Sequence, residues 1–326
     1  MRRPSSVAIL TAVTLGLVPC AARVETRHTQ ARGLAPLVDG VFEAWKTADV
    51  VCLGEGHGRL NDSDLRLAVV RDPRFARHPN VVIVEWANGV HQNQLDRFAL
   101  DGVAMTRAEL APIWRDAVGA ELFELSIYEE FLRAVQEVNK ALPRASRVRL
   151  IAGDSAIDWR KIRTVEELLP YMTNGMINRG GNIRTIVTEQ VLKPKLKALA
   201  IYGSGHCRRI GMGFPGELEP EYPGRFWSIA SFAQEGPLHQ RGKEVFGLGD
   251  QPAYIIVRGT EWSKRRAEGL FGVDRDNTIG QMVDAVVYYG ATGDRIASGD
   301  RTALVREYGA ELARRTQLFN EARKRR

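Results

Sequence analysis

Four side chains able to move protons or hold a cation stand where apolar runs end. Glu55 and His57 lie in Leu53-Gly54-Glu55-Gly56-His57-Gly58, Glu85 closes Val81-Val82-Ile83-Val84-Glu85, and His206 follows Ala198-Leu199-Ala200-Ile201-Tyr202-Gly203-Ser204-Gly205. A carboxylate beside an imidazole fixes the ring's tautomer and raises its basicity, which suits a general base. Glycines around Glu55 and His57 let the chain turn sharply, and in extended backbone residues two apart point to the same side. Glu85 is costly to bury unless it is paired or used. The bland alternative is a glycine-rich turn whose polar residues only satisfy backbone groups, with an ordinary strand-end carboxylate nearby.

Further candidates surround these four. Arg209, in His206-Cys207-Arg208-Arg209, could hold an anionic group or a developing oxyanion. Trp86 and Asn88, just past Glu85, and the aromatic pair Phe226-Trp227 could line a pocket. Asp154, ending Leu150-Ile151-Ala152-Gly153-Asp154, is a weaker strand-end carboxylate. Two imidazoles and a carboxylate would also leave an open position for water on a zinc-like ion, so Glu55, His57, Glu85 and His206 double as metal candidates. Gly-x-Ser-x-Gly, His-Glu-x-x-His and Cys-x-x-Cys are absent, which argues against a serine triad and the commonest zinc signatures. Two cysteines beside the motifs do not make a disulfide scaffold. Cys52 reads as a small apolar residue of a buried strand, while Cys207 could face the crevice, open to a metal-ligand or redox role.

Those positions need a frame that brings strand ends together. Apolar runs of strand length recur at 50–53, 81–84, 148–152, 198–202, 254–257 and 285–289. They are continuous rather than alternating, as expected of strands covered on both faces. Helical patterns lie between them at 35–47, 62–70, 90–100, 120–142 and 183–191, with Leu122, Leu125, Tyr128, Phe131, Leu132 and Val135 on one face. The alternation predicts an α/β fold with a mostly parallel central sheet flanked by helices, whose ligand crevice lies at the strands' carboxyl ends. Residues 105–120 read as a short extra helix capping the crevice, with Thr106 as its N-cap. The stretch 211–249, rich in Gly, Pro and aromatics, reads as a lid or insertion, completing a loop-rich cap.

Composition narrows the classes. The chain has 326 residues, 44% apolar and 26% charged, with a net charge of +7. Arg2, Arg3 and Arg23 at one end, and Arg314-Arg315 and Arg323-Lys324-Arg325-Arg326 at the other, hold much of that excess. No stripe of cations interleaved with aromatics suggests nucleic-acid binding. Met1-Arg2-Arg3, an apolar run at 7–18 and Cys20-Ala21-Ala22 read as an export signal too short to span a bilayer. Residues 1–22 are thus expected to be a cleaved signal peptide, with a lipid anchor at Cys20 as the alternative, disfavoured by Pro19. Residues 23–326 are expected to form one α/β domain, its core about 48–290 and a C-terminal helix about 300–326. No other stretch approaches transmembrane length.

Taken together, Gly54-Glu55-Gly56-His57-Gly58, Glu85 and Gly203-Ser204-Gly205-His206 resemble the motifs of the superfamily uniting erythromycin esterases, ChaN-like haem-binding proteins and Tiki/TraB proteins. The resemblance spans about 48–290 and implies both Glu–His pairs facing one cleft. The esterase branch implies lactone hydrolysis, with an imidazole like His57 activating water. The ChaN-like branch implies haem binding and export, and the Tiki branch a metal-dependent peptidase. The Glu-x-His spacing and His206-Cys207-Arg208-Arg209 look more ChaN-like; Gly153-Asp154 and Met282-Val283-Asp284-Ala285-Val286-Val287-Tyr288 look more esterase-like. The expected function is an exported hydrolase of an ester or related carbonyl on a small-molecule substrate. Its rivals are a haem- or iron-binding protein, for which His206, Cys207 and Tyr202 are axial candidates, and a pseudo-enzyme.

Overall fold

A computed structural model describes residues 33–325, apart from 80, 175, 232–235, 268–269, 272–275, 292–294 and 300. The expected export signal and Cys20 lie outside the described residues. Each expected apolar run is a strand: β1 (Val50–Glu55), β2 (Val81–Asn88), β3 (Arg149–Asp154), β6 (Ala198–Gly203), β8 (Ala253–Ile256) and β9 (Ala285–Tyr288). A small separate hairpin, β4 (Met172–Thr173) with β5 (Met176–Ile177), interrupts the series. The main sheet also contains β7 (Phe226–Ser231), and its order is β3-β2-β6-β1-β7-β9-β8. Pairing is parallel throughout except between β8 and β9.

Period-two alternation sends each strand's side chains into two different cores. Val51 and Leu53 of β1, with Val82, Val84 and Trp86 of β2, pack against the helices Ala35–Ala44, Leu60–Arg71, Gln92–Ala99 and Ser126–Lys140. Val50 and Cys52, with Val81 and Ile83, pack on the other face against Ile183, Ile186 and Val187 of the helix Arg179–Val187. Burying each such side chain stabilises the fold by about 1.5–3 kcal/mol. A strand covered on both faces has no polar side, which is why these runs are continuous rather than alternating.

Two expectations need correction. The stretch 211–249 is not a free lid: it contains the helix Phe214–Leu218, the sheet strand β7 and the helix Gly236–Phe246. β7 escaped notice because its short run is broken by Ser228 and Ser231 and set among Gly and Pro. In the sheet it is an inner strand between β1 and β9, with Phe226 and Ser228 wholly buried. The expected helix over 120–142 is split into Ala120–Phe123 and Ser126–Lys140. Buried Glu124 sits at the break and binds Arg115, Arg107 and the Trp114 indole. The short helix after Thr106 is present, closed by a reciprocal capping box with Glu109.

Past β9 the chain returns to the turn that follows β1. Ala297 N–H donates to the Gly58 carbonyl at 2.7 Å, Leu60 N–H donates to the Arg295 carbonyl at 2.7 Å, and Gly299 bridges to Leu125. Gly58 takes φ +83°, a left-handed conformation that a side chain would strain. The chain then enters the helix Arg301–Lys324, whose Leu318 and Ala322 pack on Trp159, Val165 and Leu168. Among the described residues no helix is long and apolar enough to cross a membrane.

Candidate functional site

Sheet order decides which strand ends meet. β6 lies between β1 and β2, so the end of β6 separates Glu55 from Glu85. That end is Gly203, which pairs with Glu55 in register and has no side chain to intervene. The two carboxylates belong to opposite faces of the sheet, and each finds an arginine in the helical layer on its own side.

Glu55 Oε2 is bound by the Arg66 guanidinium, and Glu55 Oε1 accepts the Tyr128 hydroxyl at 2.9 Å. Arg66 is itself buried, its guanidinium 4.9 Å from both the Trp86 and Tyr128 ring centroids and 5.7 Å from that of Phe131. Such a cage favours a flat cation. Glu55 Oε1 also lies 3.1 Å from His57 Nδ1. Because the carboxylate can only accept, Nδ1 carries the hydrogen and Nε2 is left as the basic nitrogen. The edge of Phe123 abuts the ring at 5.2 Å between centroids.

Glu85 Oε2 accepts the Gly203 N–H at 2.5 Å and stands 3.9 Å from His57 Nε2. Its Oε1 lies 2.9 Å from Arg179 Nη1 and 3.6 Å from His206 Nε2, yet no well-directed hydrogen bond is made to it. Arg179 Nε also binds Asp154 Oδ1 at 2.9 Å, and Asp154 Oδ2 accepts the Val118 N–H at 2.6 Å. The carboxylate side chains of Glu55, Glu85 and Asp154 are 4%, 2% and 0% exposed, whereas those of His57, Arg179 and His206 are 26%, 22% and 20% exposed. Solvent therefore meets nitrogen groups backed by buried acids.

These surroundings drive the two imidazoles apart. Burial disfavours the His57 cation, but the Glu55 hydrogen bond and the charges of Glu85 and Glu55 outweigh it, raising the ring above its ordinary 6.5. For His206 burial prevails, aided by Arg179 and His57 against the pull of Glu85, and its pKa falls below 6.5. Burial pushes Glu55 up, but Arg66, His57 and Tyr128 together bring it below 4.5. In Asp154 burial wins over Arg179, and the carboxyl is raised above its ordinary 3.8. A pair of titratable groups separated in this way is suited to divided acid and base duties.

The other expected residues fall elsewhere. Trp86 is buried beneath the site as one wall of the Arg66 cage. Asn88 is buried and structural, donating to the Asp116 and Ile157 carbonyls and accepting the Val90 N–H. Arg209 is taken up by Asp284, at 3.1 and 3.2 Å. Phe226 and Trp227 pair with Val50 and Val51 at the start of β1, the end of the sheet remote from Glu55. Cys52 and Cys207, read as separate thiols, are joined in a disulfide.

Four residues were missed: Arg66, Tyr128, Arg179 and Asp62. Asp62 is buried and accepts Gly56 N–H at 2.7 Å, Ser231 Oγ–H at 3.0 Å and Tyr289 O–H at 2.7 Å, which pins the turn after Glu55. A guanidinium at Arg66 among Leu65, Leu67, Val69 and Val70 was a readable signal, since an arginine on a buried face needs a partner. Tyr128 was visible only as part of an apolar face. Arg179, in Asn178-Arg179-Gly180-Gly181, had no local signal.

The donor set does not fit a metal. Among the described residues no three His, Cys, Asp or Glu side chains gather closely enough to hold an ion. Glu55 and Glu85 already have arginine cations, and the Cys207 sulfur is bonded to Cys52. Haem fits little better: of the three axial candidates, Cys207 is in the disulfide and Tyr202 is buried, its hydroxyl donating to the Gly153 carbonyl at 2.9 Å.

No protein-family model matches the chain, and no curated protein matches its sequence. Solved structures do share its architecture. A succinoglycan biosynthesis protein superposes with a TM-score of 0.55 at 11% identity, over 81% of this chain and 91% of its own. A mutant of the erythromycin esterase EreC, in its open conformation, superposes with a TM-score of 0.50 at 12% identity, over 82% and 93%. A Bacillus cereus protein does so with a TM-score of 0.50 at 14% identity, over 79% and 91%. The chain therefore has the fold that its motifs suggested, that of the erythromycin esterases and their structural relatives.

Proposed function

We propose that this chain is an exported hydrolase of an ester or related carbonyl compound, with His57 as general base. The observation that carries the reading is the Glu55–His57 pair: Nδ1 is held 3.1 Å from a carboxylate anchored on buried Arg66, and Nε2 is turned toward Glu85. A Cβ built on Gly203 would fall 2.9 Å from His57 Nε2 and 3.4 Å from Glu85 Oε2, so the bare glycine keeps that space open for a water.

In the proposed reaction, His57 Nε2 takes a proton from this water as its oxygen bonds to the carbonyl carbon. Arg179 supplies fixed positive charge where the carbonyl oxygen turns negative. The tetrahedral species expels the alkoxide, which receives the proton from His57, giving an acid and an alcohol. His206, neutral because its pKa is lowered, and Glu85 hold the water. The base step is expected to contribute about 10²–10⁴-fold. The EreC likeness supports a small-molecule ester or lactone as substrate, and the sequence pattern of residues 1–22 together with the disulfide supports export.

The test is a panel of activated esters and lactones against wild-type protein and His57→Ala, with thermal melts of both. Turnover lost in a folded variant supports the reading; full turnover in His57→Ala overturns it. An absorbance scan during haem titration addresses the binding rival, which retains His206 as its axial candidate.

A further inference from the structure

We propose that the Cys52–Cys207 disulfide is a positioning element for His206, tying the loop that carries this imidazole to the strand that carries Glu55. The inference rests on the site reading above and adds to it a part that neither imidazole supplies. Cys52 lies in β1, in the same strand as Glu55, and Cys207 directly follows His206. Their Cα atoms are 5.4 Å apart, across a sequence separation of 155, and both residues are buried.

What else holds the loop shows why the bond matters there. Gly203-Ser204-Gly205 leads into His206, and the two glycines leave the backbone many accessible conformations. The His206 N–H donates to the Gly203 carbonyl at 2.8 Å, and the His206 carbonyl accepts the Phe214 N–H at 3.1 Å. Ser204 N–H also donates to the Glu55 carbonyl at 2.9 Å and Gly203 ends β6, so hydrogen bonds tie the entry of the loop to the sheet. On the exit side of His206 the ties are buried Phe214 and, through Cys207, Cys52. Farther along, Arg209 N–H meets the Met282 carbonyl at 2.9 Å and its guanidinium meets Asp284, which anchors the loop toward β9 and away from Glu85. The disulfide is the covalent tie between this loop and β1, one residue from the imidazole. His206 Nε2 stands 3.6 Å from Glu85 Oε1, a distance that a small loop shift would spoil. A displacement of about 1 Å in a reacting group can cost about 10²-fold in rate.

The experiment is a double-mutant cycle. Cys52→Ala/Cys207→Ala is made in the wild-type and in the His206→Ala backgrounds, with ester turnover and His206 ring resonances read by NMR. If the bond acts through His206, removing it lowers kcat/KM by about 10²-fold through kcat in the first background and has no further effect in the second. The His206 titration, set by burial and then by Glu85, Arg179, the Met212 backbone and His57 around the ring, moves toward that of a free imidazole while that of His57 stays. Equal losses in both backgrounds, or an unchanged His206 titration, would make the disulfide a stabilising cross-link only and overturn the proposal. If the double variant does not fold, the native protein is reduced with a trialkylphosphine, which becomes the phosphine oxide as the disulfide gains two electrons and two protons. Thiols are then counted and the same resonances read. If wild-type protein hydrolyses no ester, the functional reading fails by itself, and the His206 titration alone decides the proposal.

Discussion

The Arg179 guanidinium lies 2.9 Å from Glu85 Oε1, the same carboxylate oxygen that His206 approaches at 3.6 Å. One arginine thus serves Glu85 and, through its Nε, Asp154. Arg179→Gln leaves both buried acids without a cation, a defect that typically costs about 3–5 kcal/mol. Urea melts should show that loss, and ester turnover should fall even at temperatures where the variant is folded. Unchanged turnover would remove Arg179 from the oxyanion role.

Gly203→Ala tests the water seat. Its new methyl group would sit 2.9 Å from His57 Nε2, so either the ring moves or the water is displaced. Turnover should drop by at least about 10²-fold, with a melting temperature close to wild type. A fully active Gly203→Ala protein would place the attacking water elsewhere.

The pH response has opposite signs for stability and activity. His57 has a folded pKa above 6.5, so its contribution to stability is complete below 6.5 and is lost as pH rises through the folded value. Glu55 has a folded pKa below 4.5, so its contribution is present above 4.5 and is lost as pH falls through that lowered value. A base must be unprotonated, so kcat/KM should climb through a midpoint above 6.5, where the His57 share of stability is fading. A midpoint below 6.5 would transfer the base role to His206, whose pKa is lowered.

Exhaustive chelation should leave ester turnover unchanged, because arginines already neutralise the carboxylates a metal would use. Loss of activity on chelation, restored by one divalent ion, would contradict this.

Arg66→Met should be among the most destabilising single substitutions in the chain. It removes the cation from buried Glu55 and from the Trp86–Tyr128–Phe131 cage, at a cost of about 3–5 kcal/mol. Chemical denaturation would measure it, and a loss under about 1 kcal/mol would show that Glu55 takes up a proton instead.

Strands buried on both faces were legible because continuous apolar runs such as 81–84 need no partner to be recognised. Glu55, His57, Glu85 and His206 were legible for a related reason: a strand that ends in a charged or imidazole side chain stands out against its apolar run. β7 was not, since Ser228 and Ser231 broke its pattern and only neighbouring strands bury it. Arg66 and Arg179 were hidden because their meaning lies in a carboxylate far away in sequence. The disulfide was hidden likewise, since Cys52 and Cys207 become neighbours only when β1 pairs with β6. Arg209 misled for the converse reason: its distant partner is Asp284 rather than a substrate.

The return of Arg295 and Ala297 to the backbone of Leu60 and Gly58 has a consequence for biosynthesis. The turn beside His57 lacks two of its backbone partners until the segment that follows β9 has emerged. A nascent chain can pair its early strands, but it holds an unfinished turn at the proposed base. A truncation before Arg295 would preserve every strand of the sheet and both proposed Glu–His pairs, yet release this turn to solvent. Maturation of the site would then follow completion of the sheet, timed by the segment beyond β9 rather than by the strands themselves.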